Sequence, residues 1–509
     1  MSQRERDGQI LAPNGSIASA KKRKGSPCQQ DGDSSFLKQN GDGDSQAGET
    51  MIFSIPHLPE DIWHHIHSLM PLRDAARVAC LSRAFLHSWR CYPNLTFNEY
   101  VFSPEAPIYG RDLSNAIDCI MRNHLGIGVK VLKLQSCYTS SRKLNRWLRV
   151  AIKPGIEELN LWLSRKESEF PCSLLSDGVR NSIQFLELGL CTFRPTAELG
   201  PLRCLTSLHL SQVRITGDEL ECLLSNSLAL EKLDLSQCHG IICLRIPCAL
   251  QRFSHLTIFM CARLKLIECK APNLSSLEFL GKPAELSLGE ALQMRNLSMY
   301  DSNVVCYART ELPSIVPNLE TLDLCSGDEV VKTPMLPTKF PCLKHLTICL
   351  TPGGSFPWSY VYFSLVSFLD ASPSLETLSL DVPTKPMKDE LVSGRHSLDL
   401  RQMAEDQHRY LKNVKITGFS SAKSLIELTC YIVKNAVSLE CLTLDTHYGS
   451  TTRCSDVGNE FKQCIPVGNS VRVKRRALAA IRKFIEEKVP AGVKLTVVEP
   501  CLQCHKPRS

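Results

Sequence analysis

From residue 129 onward one short pattern recurs: an apolar residue, two of any kind, an apolar residue, one of any kind, and a further apolar residue. It reads VKVLKL at 129, IEELNL at 156, IQFLEL at 183, LTSLHL at 205, LEKLDL at 230, FSHLTI at 253, LSSLEF at 274, MRNLSM at 294, LETLDL at 319, LKHLTI at 343, LETLSL at 375, LKNVKI at 411 and LECLTL at 439. Most intervals fall between 20 and 28 residues. One such unit cannot bury its apolar edge alone, but a stack can, because each unit covers the next. The period therefore predicts a solenoid in which every unit supplies one short parallel strand and a return segment.

Pattern and period resemble those of leucine-rich repeats. The fold class this implies is an α/β leucine-rich-repeat solenoid, or horseshoe. Cys137, Cys191, Cys238 and Cys261 each follow the last apolar position of their strand by three residues, in the slot where such repeats turn an Asn or Cys inward. They read as structural. Side chains alternate faces along a strand, so the positions between the apolar ones should line the concave surface. There we place Trp162, His209, Asp234, Phe259, Tyr300, Asp323 and His345 as candidate contacts for a target protein, with Glu158, Asn160, Lys232, His255, Glu278, Leu280 and Thr347 beside them. Exposed aromatics among polar groups suit a protein-binding face. Intervals of 32 and 36 residues after positions 343 and 375 mark insertions at 351–363 and 383–407, and 448–470 forms another long loop.

Ahead of the repeats, residues 1–50 are rich in Gly, Ser, Asp, Gln and Lys and nearly free of aromatics. Such a segment buries too little apolar surface to offset its ordering entropy, and we expect a disordered tail over 1–54. Lys21, Lys22, Arg23 and Lys24, followed by GSP, have the form of a short nuclear localisation signal beside a proline-directed phosphorylation site. No apolar run is long enough to span a membrane, and the first residues lack the pattern of a secretory signal. The expected location is the nucleus, the cytoplasm or both, where thiols stay reduced and the 24 cysteines act mainly as core residues.

Between tail and repeats lie three short amphipathic segments. Pro59, Glu60 and Asp61 suit a helix start. Ile62, Ile66 and Leu69 recur at helical spacing and Pro71 closes the run. A second helix is expected over Asp74 to Cys80, and Ser82 should cap a third that carries Phe85 and Trp89 on one face. If the Ile62–Ile66–Leu69 stripe faces inward, His64 and His67 fall on the opposite, solvent side and His65 at its border. Three surface histidines with no further ligand at suitable spacing do not make a zinc site, so no metal is expected.

The stretch LPEDIWHHIHSLMPLRDAARVACLSRAFLHSW, Leu58 to Trp89, resembles an F-box. The family pattern opens Leu-Pro-x-Asp/Glu, sets Ile or Leu residues before a Leu-Pro pair, and ends Leu-Ser-x-x-Trp. Leu58, Pro59, Ile62, Ile66, Leu69, Pro71, Leu72, Val78, Leu81 and Ser82 match it. Met70 replaces the leucine before the proline, and Phe85 stands at the terminal tryptophan position with Trp89 one turn later. The resemblance implies that these residues dock a Skp-type adaptor, which links to a cullin.

At the other end, VRVKRRALAAIRKFIEEKVP predicts an amphipathic helix with Ala477, Ile481 and Ile485 on one face, and VKLTVVEP a last strand; together they would close the array. This ending resembles the FBD-type region of plant F-box and leucine-rich-repeat proteins. Cys501, Cys504 and His505 form Cys-x-x-Cys-His, the haem-attachment spacing, but covalent haem does not suit a chain without an export signal. Zinc would need ligands that the neighbouring sequence lacks; no cofactor is expected.

The formal net charge is +7, and the excess is local: Arg472 to Ser509 hold ten basic and three acidic residues. That stretch has one aromatic and no nucleic-acid motif, which disfavours nucleic acid as a partner. No phosphate-binding loop, nucleophile elbow, metalloprotease or kinase signature occurs, so a non-catalytic protein is expected. We divide the chain into a tail (1–54), an F-box (55–95), repeats (96–410) and final repeats with an FBD-like cap (411–509). Two readings follow. One is the substrate-recognition subunit of an SCF-type E3 ubiquitin ligase, with an adaptor on the helices and an unidentified target protein on the repeats; the other is a protein-binding repeat scaffold, with the nucleus as one location, without ligase function.

Overall fold

The computed structural model describes residues 58–101, 107–137, 140–163, 169–282, 284–289, 293–327, 329, 339–351, 361–383, 407–447 and 470–499. The expected tail over 1–54 with its basic run Lys21 to Lys24, residues 384–406 of the 383–407 insertion, and Cys501, Cys504 and His505 lie outside them. So do 352–360 and 448–469 of the other two long loops.

Every one of the thirteen repeat motifs forms a strand of one parallel sheet. In chain order the strands are β1 (Asn94–Phe97), β2 (Val131–Cys137), β3 (Glu158–Leu163), β4 (Phe185–Gly189), β5 (Ser207–Ser211), β6 (Lys232–Ser236), β7 (Cys243–Ile246), β8 (His255–Phe259), β9 (Leu266–Cys269), β10 (Ser276–Leu280), β11 (Glu285–Ser287), β12 (Asn296–Ser302), β13 (Thr321–Gly327), β14 (His345–Thr351), β15 (Thr377–Asp381), β16 (Asn413–Thr417), β17 (Cys441–Asp445) and β18 (Lys494–Val498). Fifteen join in sequence order, while β7, β9 and β11 form a separate three-stranded sheet. The three belong to the return segments, where the chain comes back as a strand rather than a helix. β1 and the small sheet were not foreseen, because none of their strands offers more than three apolar residues, too few to mark a strand.

Register explains the period. Leu186 of β4, Leu208 of β5, Leu233 of β6 and Leu256 of β8 sit side by side, each essentially fully buried. Such leucines contribute about 1.5–3 kcal/mol apiece. Leu190, Gln212, Gln237 and Met260 follow β4, β5, β6 and β8 and all take left-handed φ between 49° and 56°. That turn drives the next residue inward. Cys191, Cys238 and Cys261 are buried there; the Cys238 thiol donates to the Leu210 carbonyl at 3.3 Å, and burial pushes the Cys191 thiol up to about 12. The structural reading of these cysteines holds; the Cys137 side chain is outside the description.

Both ends of the array are covered. At the start stand α1 (Glu60–Ser68), α2 (Leu72–Val78) and α3 (Arg83–Arg90), followed by α4 (Gly110–Asn123) and α5 (Ser141–Ala151). Leu72 and Ala75 of α2 belong to the same continuous core as Leu95 and Phe97 of β1. α2 begins two residues before the expected Asp74, since Pro71 sits at its cap with φ −59° and no N–H to leave unpaired. At the other end the helix Ser470–Phe484 buries Ala477 and Ile481, and Ile485 just past its end is buried too; β18 pairs with β17. The edge of β18 exposes Lys494 and Thr496, and a charged edge resists further strand pairing.

Candidate functional site

The first surface is built by α1–α3. Its core is aromatic: Trp63 meets Phe85 edge-on at 4.6 Å and the His67 ring packs on Phe85 at 5.4 Å. Ser82 caps α3, its hydroxyl accepting from the Phe85 N–H at 3.2 Å. With Trp63, His67 and Phe85 inside, the Ile62–Leu69 stripe turns outward. Ile62 is 45% exposed, Leu69 73% and Leu81 69%; Pro59 and Pro71 are exposed as well.

This reverses the orientation expected from the helical wheel. The histidine face of α1 packs on α3, and His67 is completely buried rather than solvated. Its Nδ1 lies 3.1 Å from the Trp63 carbonyl, and burial lowers its pKa. Among the residues proposed for adaptor docking, Leu58, Ile66, Val78, Ser82 and Trp89 are half-buried, and Leu72 and Phe85 are buried inside the module. These last two support the surface from beneath.

His64 also turns toward α3. Its Nε2 lies 3.7 Å from Glu60 Oε1, its Nδ1 lies 3.2 Å from the Ser88 hydroxyl, and His87 Nδ1 reaches the same Glu60 oxygen at 2.6 Å. Glu60, His64 and His87 thus converge closely enough to hold a cation. The sequence reading missed this because His87 arrives from another helix, far outside any short ligand spacing.

The second surface is the sheet face turned away from the core. Register places its side chains in three parallel rows. One row runs Asn160, Glu187, His209, Asp234 and Thr257 from β3 to β8. A neighbouring row runs Phe259, Leu280, Tyr300, Cys325 and Cys349 from β8 to β14. All seven proposed target contacts lie on this face. Phe259 and His345 are exposed; Trp162, His209, Asp234, Tyr300 and Asp323 are half-buried.

Several of these side chains hold one another. His209 Nδ1 lies 2.7 Å from Asp234 Oδ2, with Phe185 against the imidazole at 4.8 Å. Burial pushes the Asp234 carboxyl up, but hydrogen bonds from His209 and Thr257 outweigh it and leave it below the usual range. Glu187 accepts from both the Trp162 indole N–H, at 2.7 Å, and the Asn160 amide. Asn160 is therefore covered, although it lies on the open face. Sequence reasoning overlooked Glu187, even though it occupies the repeat position of His209 and Asp234; only its partners mark it out.

Comparison with known proteins identifies the domains that carry the two surfaces. Residues 55–95 match the F-box domain, and residues 120–502 match the leucine-rich-repeat domain described as At1g61320/AtMIF1. The chain is an F-box/leucine-rich-repeat protein. It belongs to the At1g61320/AtMIF1 leucine-rich-repeat family, as the plant F-box and repeat resemblances implied. Among its relatives in Arabidopsis thaliana, the F-box/FBD/LRR-repeat protein At1g13570 is 26% identical over 420 residues, covering 78% of this chain and 92% of that one. The FBD-associated F-box protein At1g61320 is 21% identical over 348 residues, covering 64% and 71%. An internalin from Listeria monocytogenes superposes with a TM-score of 0.33 at 13% identity, covering 66% of this chain and 89% of the other.

Proposed function

We propose that this chain is the substrate-recognition subunit of an SCF-type E3 ubiquitin ligase. Its F-box docks a Skp-type adaptor and through it a cullin, while the open face of the repeats holds a target protein. The observation that carries the reading is the outward turn of Ile62, Leu69 and Leu81 on a module of only three short helices. A large apolar side chain left wholly in water forgoes about 1.5–3 kcal/mol, and three partly exposed ones on so small a module favour a protein interface. The chain itself is read as non-catalytic. Ubiquitin transfer takes place on partner subunits, and this protein raises the effective concentration of a target lysine near the thioester. With Lys21 to Lys24 as an import signal, it works in the nucleus as well as the cytoplasm.

The packing of α2 on β1 favours a second reading, in which the helices serve only as the cap that any solenoid needs. Co-purification with a Skp-type adaptor separates the two. Wild type should capture the adaptor, and a Leu58→Ala, Pro59→Ala, Ile62→Ala variant that keeps its circular dichroism should not. Failure of folded wild type to capture it would leave the scaffold reading.

A further inference from the structure

Helix α5 buries Leu144, Trp147, Leu148 and Ala151. Its opposite face carries Arg142, Asn145, Arg146 and Arg149, and Lys153 lies just past its end. Across from them stands the loop at His124, and the two border an open hollow of about 640 Å³. The lining holds four cationic side chains and no carboxylate. Arg142 and Arg146 are spaced i,i+4 on the helix, and Arg146 and Arg149 i,i+3. Like charges at these spacings destabilise a helix by a few tenths of a kcal/mol per pair, about 0.2–0.5. The nearby carboxylate, Asp118, is already engaged by Arg146, by Arg122 at 2.7 Å and by the Trp147 indole at 2.9 Å. Among the described residues no carboxylate pairs with Arg142, Arg149 or Lys153. The facing wall adds no charge: His124 is buried and neutral, its Nδ1 accepting from the Gly126 N–H at 2.9 Å and its Nε2 donating to the Tyr92 carbonyl at 3.0 Å.

We propose that this cleft is a binding site for a small soluble polyphosphate. Guanidinium groups match phosphate oxygens two at a time. Arg142 and Arg149 alone are about 10 Å apart along the helix axis, so a single phosphate engages only part of the set and several phosphates engage all of it. The volume suits a small ligand. The lining holds no Phe, Tyr or Trp, which disfavours a nucleic-acid strand that would ask for broad stacking surfaces. The site joins the two functional surfaces, because its loop is tied to the end of α3 by the Leu125 N–H donating to the Arg90 carbonyl at 2.8 Å. A ligand bridging loop and α5 would brace the F-box against the first repeats. The inference does not depend on the ligase reading.

The test is calorimetric titration of the full chain with inorganic tripolyphosphate, with sulfate and a single-stranded DNA oligonucleotide as parallel arms. Tripolyphosphate should bind and raise the melting temperature, sulfate at equal concentration should not, and the oligonucleotide should bind more weakly. Arg142→Glu with Arg149→Glu should weaken tripolyphosphate by about tenfold or more, the loss expected for charged hydrogen bonds. Arg149→Gln should give a smaller loss and serves if the double variant misfolds. Arg475→Glu with Lys483→Glu, on the C-terminal basic helix, should change nothing. The proposal is overturned if the α5 variants bind as wild type, if the C-terminal variant loses as much, or if the oligonucleotide binds more tightly through the same arginines.

Discussion

The indole of Trp162 lies against the backbone of Gly189 on the neighbouring strand, so closely that a methyl group added at Gly189 would stand 2.7 Å from the ring's Cδ2. The glycine is the floor on which the aromatic rests. Glu187, two residues earlier on the same strand, holds the indole N–H, so floor and anchor come from one repeat. Gly189→Ala should displace the ring, shift Trp162 emission toward that of solvated indole and cost about 1 kcal/mol. A Trp162→Phe background isolates the signal among the five tryptophans. Emission unchanged by the alanine would mean that the ring does not rest there.

The F-box offers a sharper contrast, because two of its apolar residues do opposite things. Leu69 is 73% exposed and Phe85 7%. Leu69→Glu should leave the melting temperature within a degree or so, about the scatter of surface substitutions, and abolish adaptor capture. Phe85→Ala removes the ring that both Trp63 and His67 pack upon, and should cost about 3–5 kcal/mol. Equal destabilisation by the two changes would contradict the outward orientation of α1.

Stability should also depend on pH through the two buried imidazoles. Burial lowers the pKa of His67 and of His124, with backbone carbonyl contacts only partly opposing it. In the unfolded chain each titrates near about 6.5. Below that pH the unfolded state takes up protons that the folded state refuses, so stability falls as pH drops from about 6.5 toward the lower folded values, and it is complete above. Urea unfolding at about pH 7.5 and pH 5.5 should show this loss. His67→Leu should reduce it, since the buried Nε2 of His67 has no hydrogen-bond partner to sacrifice. A pH profile identical to wild type would rule His67 out as a contributor.

Much of the array was legible because its information is repeated: each Leu-x-x-Leu-x-Leu unit states the same strand, and adjacent units enforce one register. The F-box helices carry no such redundancy. Ile62, Ile66 and Leu69 announce an amphipathic helix, but periodicity cannot say whether the apolar stripe meets its own core or a partner. That was decided by Trp63, His67 and Phe85, whose packing depends on α3. The same limit hid Glu60, His64 and His87, and the partners of Glu187: in each case the interaction joins elements whose spacing in sequence carries no signal. Helix α5 is intermediate. The positions of its arginines could be read from the chain, whereas the cleft required the loop at His124.

That loop depends on one residue. Gly126 has φ +69°, and a Cβ placed there would fall on the Val150 carbonyl of α5. The neighbouring His124 and Leu125 tie the same loop to Tyr92 and Arg90 at the end of the F-box. A side chain at 126 therefore meets two costs: about 1–2 kcal/mol for an L-residue in the left-handed region, and a backbone overlap that only a shift of the loop or of α5 can relieve. Gly126→Ala should lower the melting temperature by several degrees and raise amide exchange at residues 124–128 and along α5, while exchange in β12–β15 stays unchanged because each repeat touches only its neighbours. Asn at this position tolerates the left-handed conformation better than Ala but carries the same Cβ. Gly126→Asn should therefore recover part of the loss and no more, which separates dihedral strain from the steric overlap. Full recovery would show that the close approach of loop and helix is not what holds this joint.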